Sequence, residues 1–122
     1  RKQFMKGMHQ IAQEGAIQIF QEYNMGMEEV IVGVVGVLQF DVLKYRLENE
    51  YNVEIRMDNL PYEHIRWIEN EEIDMDKLVG TSDMKKIQDL KGRPFLLFVN
   101  AWSVGMVLDR NEGLVLSEFG RE

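Results

Sequence analysis

Residues 30–57, VIVGVVGVLQFDVLKYRLENEYNVEIRM, constrain the fold of this chain more than any other stretch. Val30, Val32 and Val34 alternate with Ile31 and Val35, so both faces of an extended segment are apolar, the pattern of a strand buried inside a sheet. Gly36 stands where that strand hands over to a helix and is read as the bend between them. Phe40, Leu43, Leu47 and Tyr51 then recur at intervals of three and four, one face of an α-helix. Asn52 suits a left-handed helix end, and Val53, Ile55 and Met57 resume a period of two, which predicts a further strand. The helix also carries a second apolar stripe, Leu38, Val42 and Tyr45, on its other side. A helix between one sheet and water needs one stripe only. Leu38, Val42 and Tyr45 are therefore expected to form a packing surface, covered by residues 60–119 or by a neighbouring domain.

The segments before this stretch fit around it. Phe4, Met5, Met8, Ile11 and Ala12 share one side of a helix over residues 3–14, which Gly15 stops. AIQIFQEY alternates, Asn24-Met25-Gly26 is turn chemistry, and residues 16–35 are read as a hairpin. Helix, strand, strand, helix, strand is a ferredoxin-like βαββαβ unit without its first strand. That strand belongs inside the sheet, so either it precedes Arg1 or a later strand takes its place. Downstream, YEHIRWIE reads as a strand, with Ile65 and Trp67 on one face and His64 and Arg66 on the other. Thr81-Ser82-Asp83 offers an N-cap for a helix with Met84, Ile87 and Leu90 inward, stopped by Gly92 and Pro94. PFLLFVN is a short buried strand, Val104, Val107 and Leu108 have helical spacing, and LVLSEF reads as a last strand. The expected fold is α+β: a ferredoxin-like αββαβ unit over residues 1–58, extended by a second α/β half over residues 59–122 on the same core, the whole being one domain.

Composition narrows the chemistry. With 122 residues, no cysteine and a net charge of -7, the chain has no thiolate site, and it is a poor general binder of nucleic acid. Neither G-x-G-x-x-G nor a P-loop occurs, so no nucleotide fingerprint is present, and Gly33 and Gly36 are read as packing and bend positions. His9 and His64 are far apart in sequence and read as surface or hydrogen-bonded residues. Glu69, Glu71, Glu72, Asp74 and Asp76 lack the glycine and closing glutamate of an EF-hand loop, and read as a solvated acidic loop. Lys85, Lys86, Lys91 and Arg93 form the densest basic group, read as a solvated helix end or, alternatively, as a local patch that contacts nucleic-acid phosphate. No catalytic, cofactor or metal residue is expected.

Two stretches, KQFMKGMHQIAQEGAIQIF (2–20) and GVVGVLQFDVLKYRLENEYNVE (33–54), resemble the C-terminal domain of the release factor 3 family of translational GTPases. The signposts are Lys2-Gln3-Phe4, Glu14-Gly15-Ala16, Gly36-Val37-Leu38-Gln39-Phe40, Arg46-Leu47 and Glu50-Tyr51-Asn52-Val53, with weaker echoes at Arg66-Trp67 and in Asn100-x-Trp102-Ser103. The resemblance implies a cytoplasmic bacterial translation factor whose GTPase and barrel domains lie outside this sequence and carry GTP, GDP and magnesium. It implies GTP-dependent dissociation of codon-reading release factors from the ribosome, with this domain packing against the other two and lying towards the small subunit. The partners are thus the ribosome and the domain's own GTPase and barrel neighbours, with codon-reading factors engaged indirectly and neither membrane nor DNA involved. The family also has a strand just before its lysine-glutamine-phenylalanine segment, which matches the gap in the βαββαβ order. The alternative reading is a stand-alone ferredoxin-like regulatory module that binds a small effector as a dimer.

Overall fold

The structure is a computed structural model and describes residues 2–25 and 29–118. In chain order the elements are α1 (Lys2–Gln13), β1 (Gln18–Glu22), β2 (Ile31–Gly33), α2 (Leu38–Glu50), β3 (His64–Ile68), β4 (Met84–Asp89), β5 (Pro94–Phe98), α3 (Ala101–Arg110) and β6 (Leu116–Ser117). The strands form one antiparallel sheet in the order β2-β1-β4-β5-β3-β6. The α+β expectation holds, and one sheet runs through both halves of the sequence. Of the segments read above, Gly26 and Phe119 lie outside the described residues.

Helix α1 ends where the sequence says it must, at Gly15 with φ +83°, and α2 ends before Asn52 with φ 55°. The two helices cross in close contact. A Cβ on Gly7 would stand 2.7 Å from Leu47 Cδ2 and 2.9 Å from the Tyr51 ring. Met8, Ile11, Ile17, Ile19, Leu43 and Leu47 close the core beneath them. Ile19 shares its sheet face with Gln21, which pairs with Gln88; Lys86, two residues on, pairs with Leu96. The second cluster, Ile68, Met75, Leu78, Leu96, Phe98 and Val107, therefore lies on the same face, under α3. Phe20, Ile87 and Leu97 form a third cluster on the opposite face, where Phe20 meets Phe95 edge-on at 5.2 Å.

Two expectations are corrected. Residues 53–57 form no strand, although their burial still alternates and Ile55 and Met57 pack on the first core. The first half therefore reads helix, strand, strand, helix, without the third strand that the ferredoxin-like expectation required. Strand β4 does not take the vacant place, because it joins β1 on the side away from β2. Strand β2 stands at the edge of the sheet, with no strand among the described residues on its other side.

The second correction concerns residues 84–90, which are not a helix: Met84–Asp89 is the central strand β4. Gly92, at φ +81°, turns the β4–β5 hairpin rather than ending a helix. Asp89 Oδ1 accepts from the backbone N–H groups of Lys91 and Arg93 within that turn. The capping signal at Asp83 serves another helix. Asn100 caps α3 by accepting from Ser103 N at 3.0 Å, and the fully buried Ser103 hydroxyl lies 2.8 Å from Asp83 Oδ2.

Candidate functional site

The helix that was to present four cations together does not exist, and Lys85, Lys86, Lys91 and Arg93 are dispersed. Neighbours on a strand point to opposite faces, so Lys85 and Lys86 separate. Lys85 Nζ approaches Glu22 Oε2 at 3.5 Å. Lys86 Nζ donates to the carbonyls of Met75 and Leu78 at 2.6 and 2.9 Å, which ties the 74–80 loop to the sheet. Arg93 Nε donates to Asp89 Oδ2 at 2.6 Å, and Lys91 is exposed on the turn beside it. A shallow hollow of about 580 Å³ beside Tyr23, Tyr62 and Thr81 includes both lysines, but their ammonium groups are already engaged. Among the described residues, no group of three His, Asp or Glu side chains is placed to hold a metal ion. No helix among them is long and apolar enough to cross a membrane.

Carboxylates elsewhere serve the fold. Arg46 on α2 grips Glu50 with two hydrogen bonds of 2.9 Å and reaches Glu14, just beyond α1, at 2.6 Å. The hydrogen bonds from Arg46 hold the Glu50 carboxyl below its ordinary range, and those to Glu50 and then Glu14 push the guanidinium up. Thr81 and Ser103 lower Asp83 in the same way. Partial burial, with Asp76 and Asp74 nearby, pushes the Tyr23 phenol up. Of these groups only Tyr23 borders the shallow hollow; Arg46, Glu50 and Asp83 do not line it.

The unpartnered feature is apolar. Leu38, Val42 and Tyr45 are 75%, 53% and 66% exposed, so residues 60–118 do not cover them. The surface continues upstream, where Val35 is 98% and Val37 77% exposed at the tip of the β2–α2 loop. Gln39 folds back on that tip: its Oε1 accepts from Val35 N at 2.9 Å and from Gly36 N at 3.4 Å. Sequence reasoning missed Val35, Val37 and Gln39. Val35 and Val37 read as part of an apolar strand and bend, and nothing local to Gln39 reveals a side chain folded back on the loop before it. Gly36 lies in the bend between β2 and α2, as read from the sequence; its φ is not positive, and beyond its two chain neighbours no atom lies within 4 Å of a Cβ placed on it.

Residues 1–108 match the family model described as class II release factor RF3, C-terminal domain. The chain belongs to the release factor 3 C-terminal domain family. It is 42% identical over 93% of its length to peptide chain release factor 3 of Symbiobacterium thermophilum. It is 40% identical over 97% to that of Streptococcus mutans and 39% over 95% to that of Nostoc punctiforme. In each case it covers only 21–22% of the relative, so it spans about a fifth of the curated relatives it matches. Their shared name is that of a translation-termination factor. The release factor 3 match covers both the loop with Gln39 and α2, so the exposed apolar surface lies within the family's own segment.

Proposed function

We propose that this chain is the non-catalytic C-terminal domain of a bacterial translation-termination GTPase that promotes GTP-dependent dissociation of codon-reading release factors from the ribosome. The observation that carries the proposal is the family match over residues 1–108, to a model of a C-terminal domain. In this reading GTP, GDP and magnesium are held by the part of the parent polypeptide that precedes this domain. The domain serves interdomain coupling and ribosome docking on the small-subunit side, in the cytoplasm. The absence of a P-loop from the sequence and the ready-made pairing of its cations support a docking role over a chemical one. RNA contact narrows to Lys91, exposed on the β4–β5 turn, because Lys85, Lys86 and Arg93 are engaged within the fold.

Deleting this domain from the parent factor tests the proposal. Nucleotide binding by the remainder is expected to persist while ribosome-dependent release-factor dissociation is lost. Dissociation at the full rate without these residues would overturn it. The regulatory-module alternative predicts a symmetric dimer and a higher melting temperature with a small effector, because a ligand that binds only the folded state must stabilise it.

A further inference from the structure

We propose that residues 69–82 form a strap over the second core cluster, poised to open and close as one unit while the sheet beneath it stays intact. Three observations carry this.

The first is how little of the segment is built into regular structure. No helix or strand forms between β3 and β4. Lys77 N donates to Asp74 O at 3.1 Å and Leu78 N to Met75 O at 3.4 Å, which closes one turn. From Glu69 to Gly80 only Met75 and Leu78 are buried, in one cluster with Ile68, Leu96, Phe98 and Val107. Glu71, Glu72, Asp74, Asp76 and Lys77 stay exposed around them. A segment with few buried apolar side chains and an exposed backbone opens locally before its domain unfolds.

The second is the clamp on its middle, where side chains from two other elements grip the backbone. Lys86 on β4 donates to the carbonyls of Met75 and Leu78 at 2.6 and 2.9 Å. Asn111, at the end of α3, accepts from Val79 N at 2.8 Å and donates to Val79 O at 2.7 Å. It thereby stands in for the neighbouring strand that the segment lacks. Arg110 donates to Gly80 O at 3.1 Å. The third is the anchoring of both ends. Asn70 donates to Gly113 O at 2.9 Å and accepts from Val115 N at 2.8 Å. At the far end Thr81 and Ser103 both donate to Asp83. Fixed ends and a clamped middle confine the motion to the residues between them. Opening wets the apolar side chains of Met75, Leu78 and the cluster below, and that cost drives the strap shut again.

Hydrogen exchange in the full-length parent factor, read amide by amide, tests the strap. The amides of Lys77, Leu78 and Val79 are expected to share one protection factor, at least about tenfold below those of Leu96, Leu97 and Phe98 in β5. Asn111→Ala is expected to speed all three by the same factor and to leave β5 unchanged, although Lys77 and Leu78 donate elsewhere. A second probe needs no substitution, because peroxide converts a methionine to its sulfoxide only where it reaches the sulfur. Met75, under the strap, is expected to oxidise at least about tenfold faster than Met8 in the first core cluster, followed by peptide mass spectrometry. Asn111→Ala is expected to speed oxidation of Met75 without changing that of Met8.

Strap amides as protected as those of β5, or Met75 no more reactive than Met8, would overturn the proposal. So would an Asn111→Ala effect confined to Val79, which would make the clamps independent contacts. Loss of β5 protection in that variant would also overturn it, because strap and sheet would then open together.

Discussion

Gly7 fixes how closely α1 and α2 approach, because Leu47 and the Tyr51 ring fill the space where its side chain would stand. Leu47 is fully buried, so its side chain has little room to move aside. Gly7→Val is therefore expected to destabilise the fold by ~1–3 kcal/mol through overpacking, read as a lower denaturation midpoint. Gly36→Ala, with open space around it, is expected to leave the midpoint unchanged. Asp83 works through charge-assisted hydrogen bonds from Thr81 and Ser103, which lower its pKa in the fold. A depressed carboxylate contributes stability that is present above its unfolded pKa, near 3.8, and lost as pH falls through the folded value. Asp83→Asn is expected to lower the melting temperature at pH 7 and to weaken the acid dependence, measured by thermal melts between pH 7 and pH 2. A variant whose melting temperature keeps the parent's acid dependence would show that Asp83 is not the group responsible. Legibility was uneven at this scale. Gly15 and Asn52 were readable because a left-handed residue is a local requirement. Gly7 carried a weaker signal, a helix-disfavouring residue in mid-helix whose reason lies 40 residues downstream.

At the scale of elements, β4 shows why spacing alone misleads. Met84, Ile87 and Leu90 recur as on a helix, and a capping triplet precedes them, yet the segment is a central strand that pairs with β1 and β5. Those partners lie more than 60 residues upstream and only a few residues downstream, and the distant one leaves no mark on a local pattern. Misreading β4 also created the basic patch, since a helix would have gathered side chains that a strand divides. The 53–57 segment is the reverse case. Its alternation is legible and real, but a strand also needs a neighbour for its backbone. Amides of residues 54–57, which pair with no strand among the described residues, are expected to exchange faster than those of β4 and β5, and equal protection by hydrogen exchange would contradict this. Lys86 makes a separate prediction: Lys86→Met removes the donor to the Met75 and Leu78 carbonyls, so faster hydrogen exchange is expected across residues 74–80 with β5 unchanged.

For the whole molecule, the helices sit on one face of a six-stranded sheet. What the fold presents outward is an apolar loop and helix stripe within the family's matched segment. The second apolar stripe on α2 was legible in the sequence, and its side chains are exposed here. Its continuation to Val35 and Val37 was not, because burial in a strand and exposure at a loop tip use the same residues. The account is tested most directly in the full-length parent factor carrying Leu38→Asp together with Val42→Asp. Both side chains are exposed here, so each substitution is expected to change the stability of this domain by no more than about 0.5 kcal/mol. Ribosome-dependent dissociation of the codon-reading release factor is expected to slow on the order of tenfold, within the usual range for coupling between sites, while GTP affinity stays unchanged. Dissociation at the parent rate, with the variant folded, would contradict the claim that this domain acts by docking through that face.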